Sequence, residues 1–577
     1  MKRTEKEIKR EYEKWLSATG ASDNASKTSF SDESKILYEE LQHMESESIE
    51  DAFFRDLEFG TGGLRGVIGA GTNRINVYTV AKATQGLANY IKTNFPDNPS
   101  AAIAFDSRNK SDLFSRTAAS VLAANMIKVY IYRELMPTPC LSFAVSKLGC
   151  SAGIVITASH NPAKYNGYKV YGPDGCQITT EVAAAIFEYI DKTDIFADVH
   201  NTDFEEALAS GIIEYIAPAI YDEFTEKVKE QSVLFGDEID RDVAIVYTPL
   251  NGTGLKPVTR ALQEAGFTNI TIVREQKDPD GNFPTCPYPN PEIRDAMKLG
   301  LKYCENTGAD LLLATDPDAD RCGIAVKDKG DYRLITGNEV GLLLLDYICS
   351  QRTKHNKMPR NPVFVKTIVT IDLAEKIADH YGVETKNVLT GFKFIGEVIG
   401  QLESEGRESD YICGFEESYG YLTGTYARDK DAVNAAFMIC EMYAYYKKKG
   451  TSLTDKLNEI YSTYGYCENT LHSYQFVGLS GMTKMQNVMK RFRSGLDRIG
   501  GLEVKSVLDY KEGLNNLPKA DVLKFVLEGN SSVVIRPSGT EPKLKAYLSL
   551  KAEDHEKALA AEETMIKQLE TIINGAG

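Results

Sequence analysis

Residues Gly153–Gly172, "GIVITASHNPAKYNGYKVYG", hold a short apolar run that stops at Ser159-His160-Asn161-Pro162 and then presents Lys169. An apolar run bounded by polar turn residues reads as a buried strand entering a loop. Reactive side chains often occupy such loops at the carboxyl ends of parallel strands. The same grammar recurs in "AAIAFDSRN", "VAIVYTPLNGTG", "ADLLLATDPDAD", "VFVKTIVTID" and "YICGFEESYG", each followed by a helical pattern. That alternation predicts parallel α/β layers with functional loops at the strand ends.

A chain of 577 residues exceeds what one core supports, so several domains are expected. Boundaries fall near residues 225, 338 and 463, giving α/β domains over 1–225, 226–338 and 339–463 and a C-terminal domain over 464–577. The last part differs in pattern. "SSVVIRPSGTEPKLKAYLSLKA" has two strand-like runs about a turn, the second alternating through Leu544, Ala546, Leu548 and Leu550. A helical stretch from His555 to Ile573 closes the chain, so a small α+β domain is expected there. At the other end, Ile8, Tyr12, Trp15 and Leu16 share one helical face and predict a docking helix rather than a signal peptide.

Composition narrows the function. The 66 basic against 82 acidic residues give a net charge of −16, which argues against a nucleic-acid or anionic-membrane binder. A local cationic cleft for a small anion remains compatible with it. No run approaches the roughly 18 apolar residues of a membrane span. The 10 cysteines form no C-x-x-C pair, which fits a reduced, cytoplasmic protein without a zinc knuckle.

"LLLATDPDADRCGIAV" places Asp316, Asp318 and Asp320 at alternate positions directly after an apolar run. Crowded carboxylates repel one another unless a cation neutralises them, and hard oxygen donors suit magnesium, manganese or calcium. An EF-hand is excluded, because Arg321 stands where that loop needs glycine and Lys327 where it needs glutamate. The plain alternative is a solvated acidic turn. Phosphate on Ser159 could complete a magnesium shell; alone, the serine could equally be a turn or capping hydroxyl.

"VVIRPSGTEPKLK" brings Arg536, Ser538, Gly539 and Thr540 together, donors able to surround a phosphate dianion, or else an ordinary hairpin. "CGFEESYGYLTG" sets Glu416 and Ser418 after a strand, where carboxylate and hydroxyl suit vicinal sugar hydroxyls. Glu416 could instead cap a following helix. Lys430, between Asp429 and Asp431, reads by itself as a solvated salt-bridge face. "EFGTGGLRGVIGAGTNRIN", with Arg65 near its centre, fits neither a dinucleotide nor a P-loop motif.

Taken in order, "GTGGLRG", "TASHNP", "DPDADR", "GFEES" and "RPSGTEPK" resemble the α-D-phosphohexomutase superfamily over nearly the whole chain. "LTGFKFIG" and "YARDKDAV" are most similar to its phosphoglucomutase and phosphopentomutase branch. The resemblance implies three related α/β domains with mixed sheets plus a C-terminal α+β, TATA-binding-protein-like domain around a central cleft. It implies Ser159 as the phosphoserine, with His160 beside it, and Ser159, Asp316, Asp318 and Asp320 around one Mg2+. Lys169 and Lys430 become the acid–base pair, a role that requires burial or neighbouring cations to lower a lysine pKa. Arg65 and Arg321 would bind substrate, Arg321 at the catalytic phosphate; Thr390 and Gly391 would read sugar orientation, and Glu416 and Ser418 the sugar hydroxyls. Arg536, Ser538, Gly539 and Thr540 would grip the non-reacting phosphate.

The implied reaction interconverts glucose 1-phosphate and glucose 6-phosphate through glucose 1,6-bisphosphate, which is also the expected activator. Sugar phosphates are the expected partners, and the chain is expected as a monomer or homodimer. Ribose or deoxyribose 1-phosphate is the alternative substrate class, phosphomannomutase a side activity and bisphosphate synthesis a more distant one. A non-catalytic sugar-phosphate sensor is the remote reading.

Overall fold

The computed structural model describes residues 2–20, 31–60, 62–476, 481–514, 517–538 and 543–575, with the Ser31 side chain left aside. Four sheets follow one another along the chain. The first has seven strands in the spatial order Phe59–Gly60, Gly63–Val67, Tyr165–Tyr171, Ala152–Ile156, Ser100–Phe105, Lys128–Ile131, Ile213–Tyr215. The second has five, Asp331–Ile335, Cys322–Asp328, Leu311–Thr315, Ile245–Thr248 and Ile270–Ile272. The third has four, Glu384–Val388, Val363–Thr367, Tyr411–Glu416 and Gly420–Leu422.

Each of these three sheets has a parallel centre flanked by helices, and its central strands are buried throughout, as in Ser100–Phe105, Leu311–Thr315 and Tyr411–Glu416. The residue pattern alone suggested parallel layers, whereas the sheets are mixed, as the family resemblance implied. In each sheet the strand after the polar loop returns antiparallel: Tyr165–Tyr171 beside Ala152–Ile156, Cys322–Asp328 beside Leu311–Thr315, Gly420–Leu422 beside Tyr411–Glu416. The connecting loops are too short for a crossover, which needs about a dozen residues or more. These polar loops are therefore hairpin tips, which fixes both their ends.

The fourth sheet is antiparallel, in the order Tyr466–Gln475, Lys543–Ala552, Ser532–Pro537, Leu523–Leu527, Leu502–Asp509, Arg498–Ile499. Leu544, Ala546, Leu548 and Leu550 all face its core, under the helix His555–Gly575. One apolar core runs from the back of the first sheet through the second and third, while the fourth sheet has its own. A small apolar seam joins the last two bodies: Ile368, Val369 and Leu389 against Tyr510, Val522, Val534 and Tyr547. Beside it Lys524 Nζ donates to both Asp372 carboxylate oxygens, at 2.9 and 3.0 Å.

The N-terminal helix, Glu5–Gly20, docks through Ile8 and Trp15. Trp15 is fully buried, with Phe53, Tyr78 and Phe196 edge-on at 5.9, 5.6 and 5.4 Å. Such edge-to-face pairs add to the area the rings bury.

Candidate active site

Ser159 follows the strand Ala152–Ile156 and is 3% exposed. Its Oγ donates to Asp316 Oδ2 at 3.1 Å and lies 3.1 Å from His160 Nδ1. A serine from the first sheet's loop thus touches an aspartate from the second's. This is not the contact of a turn or capping hydroxyl, which would bond backbone.

Asp316, Asp318 and Asp320 offer ligand oxygens that all lie within 4.8 Å of one another. Their exposures of 0%, 0% and 1% overturn the solvated-turn alternative. Asp316 Oδ1 accepts from the Asp320 and Arg321 amides at 3.1 and 2.9 Å, while Thr138 N and Thr253 N hold the Asp318 and Pro317 carbonyls, each at 2.9 Å. Asp318 Oδ1 and Asp320 Oδ1 are buried without a hydrogen-bond partner. Buried, unsatisfied carboxylate oxygens are costly, and a hard divalent cation is what this donor set fits. Burial, then Asp318 and Asp320, push the Asp316 pKa well above the carboxylate range.

Two ammonium groups press on the same cluster. Lys169 Nζ is 2.9 Å from Asp318 Oδ2 and 3.5 Å from Asp320 Oδ2. Lys430 Nζ is 3.1 Å from Asp320 Oδ2 and 3.0 Å from Asp429 Oδ1. The Lys430 side chain is only 12% exposed and spans two carboxylates, so it is not the solvated face its neighbours suggested. The anticipated lowering of the lysine pKa is reversed. Burial does oppose the charge on both, but Asp318 and Asp320 at Lys169, and Asp320, Asp429 and Glu416 at Lys430, outweigh it and raise both pKa values. Asp318 and Asp320 are among the carboxylates a cation would take. His160 goes the other way: burial, then Arg321 and Arg65, hold it well below the usual imidazole value, so it is neutral.

A cleft of about 930 Å³ opens from this cluster and is lined from all four sheets' bodies. His160 and Arg321 border its reactive end; Thr390, Gly391, Glu416, Ser418 and Lys430 border its middle; Arg536 stands on the fourth body. Glu416 caps a helix, though not one that follows it: its Oε1 accepts from Gly391 N at 2.9 Å, at the start of Phe392–Ser404. Arg65 is exposed on Gly63–Val67 over the serine loop, its Nη1 3.5 Å from Asn161 Oδ1. Ser538 N donates to Lys543 O at 2.7 Å, where the antiparallel strands Ser532–Pro537 and Lys543–Ala552 meet. Gly539 and Thr540 lie outside the described residues. A separate concavity of about 730 Å³ beside the N-terminal helix contains none of these groups.

Three cleft residues escaped sequence reasoning. Glu292 pairs with Arg321, and Lys545 and Tyr547 flank Arg536. Lys545 opposes Arg536 in register, and the period-two spacing of Lys543, Lys545 and Tyr547 was the available signal.

Comparison with known proteins agrees with this geometry. The descriptions "Phosphoglucomutase/phosphomannomutase, alpha/beta/alpha domain I", "domain II" and "domain III" match residues 56–195, 222–330 and 336–464, and the family's C-terminal domain matches 501–566. The chain belongs to the phosphoglucomutase/phosphomannomutase family. Phosphoglucomutase of Staphylococcus saprophyticus is 36% identical over 532 residues, 90% of this chain and 95% of that one. Phosphoglucomutase of Staphylococcus aureus strain RF122 is 38% identical over 536 residues, 90% and 93% of the two chains. Among solved structures, the open form of Paramecium parafusin, a phosphoglucomutase, shares the fold at a TM-score of 0.67 with 19% identity, covering 90% of this chain and 95% of its own. In this family member the four matched segments correspond one to one with the four sheets, and helices before residue 56 are additional to them. Among the described residues, no helix is long and apolar enough to cross a membrane.

Proposed function

We propose that this enzyme is a phosphoglucomutase that interconverts glucose 1-phosphate and glucose 6-phosphate through phosphoserine at position 159. The observation carrying it is the 3.1 Å contact between Ser159 Oγ and Asp316, a nucleophile and a buried acidic trio joined across two domains. Asp316, Asp318 and Asp320, with phosphorylated Ser159, would hold Mg2+, which withdraws charge from a transferring phosphoryl group when bound.

The chain's own groups define the rest. In the first half-reaction the Ser159 Oγ–P bond breaks as a P–O bond forms to the free sugar hydroxyl. That hydroxyl surrenders its proton, and Lys169, on the strand returning from the serine loop, would take it once a cation on Asp318 and Asp320 offsets the carboxylates that keep its ammonium charged, with Lys430 second. The serine oxygen regains a proton as it departs. Glucose 1,6-bisphosphate then reorients, and the second half-reaction reverses these changes at the other phosphate. Arg536 and Ser538, with Gly539 and Thr540, hold whichever phosphate is not reacting. Arg65 and Arg321 serve the reactive end, Thr390 and Gly391 sense ring orientation, and Glu416 and Ser418 take the hydroxyls. Free bisphosphate would restore phosphoserine lost to hydrolysis, hence its activator role. Ten free, buried cysteines support a reducing, cytoplasmic setting.

The test is turnover of glucose 1-phosphate and ribose 1-phosphate side by side by the purified chain, with mass analysis of the Ser159 peptide. Preferred hexose turnover, one added phosphoryl group, and its loss with turnover in Ser159→Ala are expected. Near-normal turnover by a folded Ser159→Ala chain would remove the covalent mechanism.

A further inference from the structure

Ser159 holds a left-handed backbone conformation, φ 52°, that a non-glycine residue adopts only when its surroundings impose it. The imposing group is Arg108. Its side chain has no exposed surface, and its guanidinium lies under the loop rather than in the cleft. Nη2 donates to the carbonyl oxygens of Ser159 and Asn161, and Nη1 to those of Pro162 and Tyr165, both at 3.1 Å. Four carbonyls of one hairpin tip converge on one planar fork, whose fixed geometry suits such a task.

The fork is itself fixed. Asp106 Oδ2 lies 3.3 Å from Arg108 Nε, and Asp106 Oδ1 accepts from Arg108 N at 3.0 Å and from Ser111 Oγ at 2.8 Å. Asp106 Oδ2 also accepts from Thr157 Oγ1 at 2.7 Å, and Thr157 Oγ1 in turn accepts from Ser159 N at 2.8 Å. One buried carboxylate therefore governs both faces of the serine peptide: its amide through Thr157, its carbonyl through Arg108. Phe283, from the second domain, lies 5.1 Å from the guanidinium and closes it from below.

We infer that Arg108, locked by Asp106 and Thr157, is the positioning residue that aims Ser159 Oγ at the acidic trio, without touching substrate. The inference rests on the proposed phosphotransfer role of Ser159. A buried charged fork spent on backbone carbonyls adds no substrate contact, so its removal should misalign the nucleophile and leave sugar-phosphate capture alone. A displacement of about 1 Å at a reacting atom costs on the order of 100-fold in rate.

The experiment uses the full chain with Arg108→Lys, which keeps charge but not the fork, and Thr157→Val, which keeps shape but breaks the Asp106–Ser159 link. The second variant guards against a failure of the first to fold. Steady-state kcat and KM are measured together with amide hydrogen exchange over residues 158–165. Expected are a kcat roughly 100-fold lower for Arg108→Lys and roughly 10-fold lower for Thr157→Val, KM within about 3-fold of wild type, and faster exchange in 158–165 alone. Unchanged exchange in that segment, or a change confined to KM, overturns the inference. If the wild-type chain turns over no sugar phosphate, the functional reading fails, and the exchange arm still decides whether Arg108 braces the loop.

Discussion

At Glu417, one carboxyl is held far from its ordinary behaviour by its neighbours. Burial, then adjacent Glu416, push its pKa from 4.5 to about 7, with Glu292 adding in the same direction. Thr367 and Thr370 hydroxyls donate to its Oε2 at 3.4 and 3.3 Å, too weakly to restore the anion. Because the folded pKa lies above the unfolded one, the protonated form is favoured in the fold. Its stabilisation is complete below about pH 4.5 and is lost as pH rises through about 7. Glu417→Gln, neutral at every pH, should therefore melt higher than wild type at about pH 8 and show a much smaller difference at about pH 5. An equal difference at both pH values would contradict this.

Among elements, the hairpin carrying Lys169 and the loop carrying Lys430, just before the helix Ala432–Lys448, are tied to each other across domains. Tyr171, two residues beyond Lys169 on its strand, donates to Asp429 Oδ2 at 2.7 Å, and Asp429 Oδ1 holds Lys430. Tyr171→Phe removes that tie and little volume. It should cost about 1 kcal/mol of stability and lower kcat about 10-fold, with KM little changed; thermal melts and steady-state kinetics read the two separately. At this scale the sequence was most readable. The buried strands before the serine, metal and sugar loops are largely apolar runs, and each motif begins where the run stops, so Ser159, Asp316 and Glu416 could be placed at strand ends. The antiparallel return was not readable, because a loop's length is evident only once both its strands are known. Nor were strands such as Leu502–Asp509, where a register shift after Val504 breaks the alternation and few residues are buried. Reading residues singly also misjudged Lys430: nothing local shows that its stem passes Gly420, where a Cβ would sit 2.2 Å from Lys430 Cδ.

For the molecule as a whole, the cleft runs from His160 and Arg321, the neighbours of the serine and the acids, to Arg536, on a body with its own core. Arg536→Ala should raise KM about 10- to 100-fold, the loss of a charge-assisted contact, with a smaller effect on kcat. A matching fall in kcat at unchanged KM would exclude a capture role. Which loops meet was invisible in the residues taken alone: Ser159 and Asp316 are 157 positions apart and touch only through folded sheets. Metal chemistry suggested that a phosphate on Ser159 could complete the shell of the trio, and the family resemblance turned that into an expectation.

The narrow joint between the last two bodies, a few apolar side chains and Asp372 with Lys524, has a bearing on how the protein dies. Dilute urea should silence turnover while circular dichroism still reports intact helices, because the joint gives way before any sheet does. Sugar phosphate, by bridging both sides, should delay that silence in proportion to its occupancy.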